Sequence, residues 1–181
     1  MPTNRKSFRL VLCLTLSLLA IGQFAQAEEL KPGDEAPAFE LMGSDGKTYK
    51  LADFEGKQAV VVAWFPKAFT GGCTKECKAL REQGEAVRAF DVAYFTASCD
   101  LPEENAKFAK SLDLDYPILS DPSTKVARAY GVVTDERPRP FRWTFYIGQD
   151  GKILAVDKEV KTETHGKDIA AKLKELKVEA K

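Results

Sequence analysis

WFPKAFTGGCTKEC, residues 64–77, decides how the chain folds. The apolar, β-branched segment 59–65 predicts a buried strand, and the helical spacing after it predicts a helix over residues 74–90. Cys73 therefore stands where a buried strand is followed by a helix. A helix N-terminus offers unpaired backbone N–H groups and the positive end of the helix dipole, and both favour a thiolate over a thiol. Because the thiolate is the nucleophilic form, this stretch predicts a reactive cysteine at Cys73.

The charge balance of the whole chain argues against a nucleic-acid partner. The 181 residues include 27 basic and 27 acidic side chains, and no basic stripe is interleaved with aromatic residues. A chain of this length suits one domain that buries a core. We therefore expect a single globular domain that binds no nucleic acid.

The N-terminus has the pattern of a secretory signal peptide. Arg5, Lys6 and Arg9 precede an apolar run over residues 10–22, and the small-residue sequence at 25–27 suits cleavage. We expect residues 1–27 to be a signal peptide and residues 28–181 to be the exported domain, with no membrane attachment after cleavage. Removal of the three basic residues leaves 24 basic against 27 acidic side chains. In a Gram-negative bacterium, the exported domain is predicted to be periplasmic.

Turn signals and hydrophobic periodicity divide this domain into strands and helices. The Asp45-Gly46 turn predicts a β-hairpin over residues 39–51, and a second hairpin follows the proline-punctuated loop at 137–140. The other predicted elements are strands at 59–65, 92–97 and 116–120, helices at 74–90, 102–112 and 126–130, hairpin strands at 143–147 and 153–160, and a final helix at 168–176. This order indicates an α/β fold, with a central mixed β-sheet flanked by helices and an N-terminal β-hairpin.

Four segments resemble the peroxiredoxins, which are thiol peroxidases on a thioredoxin-like fold. The similarity spans nearly all of residues 28–181, and the second cysteine on the same helix makes the Q-type (bacterioferritin comigratory) subgroup the most similar. The resemblance rests on the spacing of Pro66, Thr70 and Cys73, on residues 33–41, on Ser98-Cys99-Asp100, and on Arg142 with Thr144-Phe145 and Asp150-Gly151. It implies a thioredoxin-like fold for this chain.

The resemblance also implies roles for the residues of the motif. Cys73 is the expected peroxidatic thiol, and Arg142 is permanently cationic, so it can favour the thiolate and hydrogen-bond the peroxide. The Thr70 hydroxyl can both accept and donate hydrogen bonds. Backbone N–H groups of Gly72 and Cys73 can meet the developing charge, and Pro66 is expected to shield the sulfur.

The thiol that resolves the resulting sulfenic acid has two candidates. Excluding the signal leaves Cys73, Cys77 and Cys99, an odd number that argues against a purely structural disulfide framework. Cys77 lies one helical turn after Cys73, and the first turn would have to unwind for a disulfide to form. The Q-type pattern places its second cysteine one residue later and commonly has proline where this chain has Gly71. Cys99 is the rival, because it ends a predicted strand.

We expect a thiol-dependent peroxidase that reduces hydrogen peroxide or organic hydroperoxides in antioxidant defence and redox homeostasis. The expected reductant is a thioredoxin-like protein, no cofactor or metal is expected, and the chain is expected to be a monomer or weak dimer. One alternative is an envelope thioredoxin-like disulfide oxidoreductase, although such proteins use Cys-x-x-Cys rather than the spacing found here. Another is a catalytically silent thioredoxin-fold binding module.

Three other ionisable residues are expected to have no part in the chemistry. His165 precedes the last predicted helix, so a surface or capping role is expected. Glu76 and Asp100 are expected to serve capping and solvation. A zinc site would need four converging ligands, and the chain has no second cysteine-rich knuckle.

Overall fold

A seven-stranded mixed sheet is the centre of the computed structural model, which describes residues 29–181. Its strands are β1 (Glu40–Gly43), β2 (Thr48–Lys50), β3 (Ala59–Trp64), β4 (Val92–Ser98), β5 (Ile118–Ser120), β6 (Thr144–Ile147) and β7 (Ile153–Asp157). The spatial order is β2-β1-β5-β4-β3-β6-β7. Strands β3, β4 and β5 are parallel, whereas β1 and β6 pair antiparallel to their neighbours in this core. Every residue of β3 is buried, as expected for a strand covered on both faces.

Four helices cover the sheet. They are α1 (Gly71–Arg88), α2 (Pro102–Ser111), α3 (Lys125–Ala129) and α4 (His165–Glu175), and a short 3-10 turn occupies Leu51–Asp53. Helices α1 and α4 pack together over one face, where Leu80 and Ile169 share an apolar cluster with Val61. Phe108 of α2 packs beside α1 on the same side. The opposite face is covered by α3 and residues near the hairpins, including Tyr130.

The predicted α/β architecture is confirmed. The Asp45-Gly46 turn joins β1 to β2, with Gly46 at a φ of +80° that favours glycine. The main differences lie at helix starts. Helix α1 begins at Gly71 rather than at residue 74, because Thr70 is extended and its carbonyl accepts the first helical bond from the Thr74 N–H.

Helix α4 begins at His165 rather than at residue 168. The predicted signal peptide at residues 1–27 lies outside the described residues. Among residues 29–181, no helix combines the length and the apolar character needed to cross a membrane.

Candidate active site

The loop between β3 and α1 brings Cys73 to the first turn of a helix. Cys73 is the third residue of α1, and its side chain is buried. Phe69, four residues before Cys73, has a φ of +59°, an uncommon conformation for a residue with a bulky side chain. The Ala68 N–H donates to Asp100 Oδ2 at 2.8 Å, and Ser98 Oγ donates to the same oxygen at 3.0 Å. Asp100 therefore connects the loop to the end of β4. The expected solvation role of Asp100 is wrong.

The Arg142 side chain contacts α1 from the two-residue segment 142–143, which precedes β6. Its Nη2 donates to Cys73 Sγ at 3.3 Å. The Trp64 N–H bonds to the Trp143 carbonyl at 2.9 Å, so the backbone beside Arg142 is fixed against the end of β3. The structure thus brings together the cysteine and the arginine that the sequence pattern singled out.

Glu76 is part of this site, and the expected capping or solvation role is wrong. Its side chain is fully buried and forms an ion pair and hydrogen bond with Arg142 Nη1. Residues three apart on a helix share a face, so Glu76 and Cys73 both present their side chains to Arg142. The available signal was a carboxylate in the middle of the apolar stripe formed by Cys73, Cys77 and Leu80.

His165 is buried as well, so the expected surface role is wrong. It is the first residue of α4, and its Nε2 lies 2.8 Å from Thr144 Oγ1. Its Nδ1 lies 3.0 Å from Glu76 Oε1, although the angle is poor for a hydrogen bond. Burial, with some contribution from Arg142, lowers the pKa of His165 to about 4, while Asp157 and Asp168 act in the opposite direction. The imidazole is therefore neutral at pH 7.

The remaining residues of the motif surround the N-terminus of α1. Thr70 occupies the N-cap position and is exposed, and its hydroxyl donates to the Lys67 carbonyl at 2.9 Å. The lone pairs of that hydroxyl stay available to accept. Pro66 is half-buried between β3 and the loop. The N–H groups of Gly72 and Cys73 belong to the first helical turn, where no intrahelical acceptor exists.

Cys77 and Cys99 lie on opposite faces of the sheet. Cys77 packs with Cys73 in the cluster around Phe108, whereas Cys99 packs against the cluster that contains Ala97. This follows from the alternation of side chains along β4, since Ala97 and Cys99 are two residues apart. Burial raises the pKa of Cys77 to about 12, and burial together with Asp121 and Asp100 does the same for Cys99. The three cysteines within residues 29–181 are all free.

This arrangement suits attack by a thiolate on a polar, neutral oxidant. A guanidinium and a helix N-terminus both favour the anionic sulfur, and both offer N–H donors to an oxygen that gains negative charge. Among residues 29–181, no group of three or more histidine, cysteine or acidic side chains is arranged to hold a metal ion.

Comparisons with known proteins agree on one family. The AhpC/TSA family model matches residues 32–156. Peroxiredoxin Bcp of Escherichia coli K12 is 36% identical over 152 residues, which cover 81% of this chain and 97% of that protein. A putative peroxiredoxin of Mycobacterium tuberculosis is 35% identical over 142 residues, covering 75% of this chain and 90% of that protein. The crystal structure of peroxidoxin BcpB from Mycobacterium tuberculosis matches with a TM-score of 0.73 at 32% identity, covering 81% of this chain and 98% of that one.

Proposed function

Because the chain belongs to the AhpC/TSA family and is a peroxiredoxin, we propose that it reduces hydroperoxides with Cys73 as the peroxidatic thiol. The Cys73 thiolate attacks one oxygen of the peroxide, so that an S–O bond forms while the O–O bond breaks. The other oxygen leaves with the electron pair and takes a proton, which gives water or an alcohol. Cys73 becomes a sulfenic acid.

The single observation that carries this proposal is the contact between Arg142 and Cys73. Arg142 Nη2 lies 3.3 Å from Sγ while its Nη1 is held by the buried Glu76. A cation fixed in this way stabilises the thiolate before the reaction, and its N–H groups face the charge that develops on the leaving oxygen. In this proposal, Thr70 accepts a hydrogen bond from the peroxide, the Gly72 and Cys73 N–H groups bind its oxygens, and Pro66 limits access of water.

We propose Cys77 as the resolving thiol. In the resolving step its sulfur attacks Cys73 sulfenic acid, a disulfide forms, and water leaves. Cys99 is a poorer candidate because the sheet separates it from Cys73. Cβ atoms four residues apart on a helix are ~5–6 Å from each other, and a disulfide needs ~3.5–4.5 Å. The start of α1 therefore has to unwind, which would also expose the buried Cys77 thiol and allow it to ionise.

A peroxide-consumption assay on the reduced protein tests both assignments. Wild type is expected to consume one equivalent of hydrogen peroxide rapidly, and Cys73→Ser is expected to lose this reaction. Unchanged consumption by Cys73→Ser would contradict the proposal. Peptide mapping of the oxidised wild type is expected to show a Cys73–Cys77 link, and a Cys73–Cys99 link would assign the resolving role to Cys99. Disulfide exchange without peroxide turnover would favour the oxidoreductase alternative.

We also propose that a thioredoxin-like dithiol protein reduces the Cys73–Cys77 disulfide, and that the domain acts as a monomer or weak dimer.

We further propose that the protein is exported, with residues 1–27 as a cleaved signal peptide. In a Gram-negative cell the reaction would then take place in the periplasm. The sequence pattern at residues 5–27 supports export. Mass spectrometry of the protein recovered from its native host tests it, since cleavage predicts an N-terminus at Glu28. An intact N-terminus before residue 28 would contradict export by this route.

A further inference from the structure

A continuous series of polar contacts connects the interior of the protein to the Cys73 sulfur. Thr144 Oγ1 lies 2.8 Å from His165 Nε2, and His165 Nδ1 lies 3.0 Å from Glu76 Oε1. The second oxygen of Glu76 binds Arg142 Nη1, and Arg142 Nη2 reaches Cys73. Thr144, His165 and Glu76 are each no more than 1% exposed. A buried carboxylate beside a catalytic cation has to be held in place, and His165 is the group that contacts its other oxygen.

The contacts favour one of the two neutral tautomers of His165. Among residues 29–181, neither His165 Nδ1 nor Glu76 Oε1 has a well-aligned hydrogen-bond partner, and the two atoms lie 3.0 Å from each other. A lone pair on Nδ1 would face a carboxylate oxygen and repel it. A proton on Nδ1 attracts that oxygen, and Nε2 then accepts from the Thr144 hydroxyl. The Nδ1–H tautomer is therefore the one in which both contacts are favourable.

The fold holds His165 at this position through the packing of α4 on α1. A Cβ added to Gly166 would lie 2.7 Å from Gln83 Cβ and 3.2 Å from the Ala79 carbonyl, so the glycine permits a close approach of the two helices. The Gln83 side chain forms hydrogen bonds with backbone groups that precede and follow His165 in the sequence. Its amide nitrogen donates to the Glu163 carbonyl at 2.8 Å, and its oxygen accepts from the Lys167 N–H at 3.0 Å.

We propose that His165 is a positioning residue for peroxide reduction: its Nδ1–H orients Glu76, and Glu76 in turn holds the Arg142 guanidinium against Cys73. This inference rests on the proposed role of Cys73. His165 does not touch the peroxide, and its effect passes through the direction in which the guanidinium N–H groups point. Loss of the Nδ1–H frees Glu76 to rotate, and Arg142 then no longer presents Nη2 to the sulfur.

Nitrogen NMR tests the tautomer without reference to catalysis. His165 is the only histidine in the sequence, so a tag-free sample labelled at histidine gives one imidazole signal. We expect the neutral Nδ1–H form from pH 8 down to pH 5.5. An Nε2–H tautomer, which has no proton on Nδ1, would overturn the proposal. This measurement uses wild-type protein, so it stays informative even when a variant fails to fold.

Kinetics of His165→Leu test the positioning role. We expect the rate of Cys73 oxidation by peroxide to fall about 10- to 100-fold, because a misplacement of ~1 Å costs on the order of 10²-fold. When both reactions are measured at a pH where Cys73 is ionised in both proteins, alkylation by iodoacetamide is expected to fall much less, because it uses no bound peroxide. His165→Asn, whose amide can replace the Nδ1–H donor, is expected to recover most of the loss. Lys167→Ala, at an exposed position on the same helix, serves as the matched control.

The outcomes separate this inference from the proposed function. Unchanged peroxide kinetics in His165→Leu, or an equal loss in the peroxide and iodoacetamide reactions, would overturn the positioning role while leaving Cys73 as the peroxidatic thiol. Peroxide consumption that persists in Cys73→Ser would instead remove the proposed function itself.

Discussion

Arg142 Nη2 and Cys73 Sγ lie 3.3 Å apart although the two residues are 69 positions apart in the sequence. The contact exists because β6 pairs with β3, which ends immediately before the loop that leads to Cys73. A second guanidinium nitrogen is bound by Glu76, so the cation is held from two directions.

Replacing Arg142 with lysine should slow peroxide reduction although the positive charge remains. A lysine ammonium cannot bind Glu76 and Cys73 with the fixed fork of a guanidinium. We expect the second-order rate constant for hydrogen peroxide to fall about 10²- to 10³-fold, the usual cost of losing one preorganised donor. Stopped-flow fluorescence measures this rate. Arg139→Lys, in the exposed loop before the site, should match wild type, and equal rates for the two variants would contradict the role of Arg142.

Glu76→Gln should weaken the fold as well as the site. The change removes one member of a buried ion pair and leaves Arg142, which is 21% exposed, without its counter-charge. We expect the free energy of unfolding to fall by about 2 to 4 kcal/mol in urea titrations. Glu82→Gln, on the exposed side of α1, should change it by less than about 1 kcal/mol. A Glu76 variant as stable as the Glu82 control would show that the pair contributes little.

Asp100→Ala should loosen the loop that carries Thr70. The carboxylate accepts from both the Ala68 N–H and the Ser98 hydroxyl, and the variant leaves both donors without this acceptor. We expect a loss of about 1 to 3 kcal/mol in the free energy of unfolding. Amide hydrogen exchange of residues 67–70 should be faster in the variant than in wild type. If exchange in Asp100→Ala equals that in Asp53→Ala, a control at an exposed position, other contacts hold the loop.

The stability of the protein should decrease in acid because of His165. Burial lowers its pKa from 6.5 to about 4, so between these values the unfolded state binds a proton that the folded state does not. The contribution of His165 to the free energy of unfolding is therefore fully present above pH 6.5 and decreases as the pH falls towards 4. The slope is at most about 1.4 kcal/mol per pH unit.

Charged groups around His165 set the size of this effect. Asp157 and Asp168 favour its protonation, Arg142 opposes it, and Glu76 contacts its Nδ1. Urea titrations of wild type and His165→Leu from pH 4 to 8 isolate the contribution, since the variant lacks the titrating group. Parallel curves for the two proteins would contradict this expectation, because they would mean that the folded and unfolded states bind the His165 proton equally, as an exposed imidazole does.

The sequence predicted the parts of the site that depend on local pattern. The apolar run before Pro66 and the helix that carries Cys73 follow from periodicity, and Arg142 was identified by its resemblance to a family segment. Glu76 and His165 were misjudged because their burial depends on how α4 packs against α1. A charged side chain such as Glu76 is expected to be exposed unless an opposite charge is buried with it. Nothing in the sequence near Glu76 showed that Arg142 would be its ion-pair partner.

Two signals in the sequence were nonetheless informative. Glu76 lies on the same helical face as Cys73 and Leu80, and a carboxylate on an apolar face indicates a buried partner. Gly166 follows His165 at the start of a helix, where a glycine is unfavourable unless a close approach requires it. The side of the sheet on which Cys99 lies could also be predicted. Side chains alternate along a strand, so Cys99 lies on the same face as Ala97 if the predicted strand is continued by two residues.

Trapping of the sulfenic acid tests the central claim most directly. A Cys77→Ser, Cys99→Ser variant leaves one cysteine in residues 28–181, and dimedone modifies sulfenic acids covalently. One equivalent of hydrogen peroxide in the presence of dimedone should give a single adduct on Cys73, and Arg142→Lys in the same background should slow its formation. Peroxide consumption without an adduct on Cys73, or no consumption by a folded protein, would contradict the account.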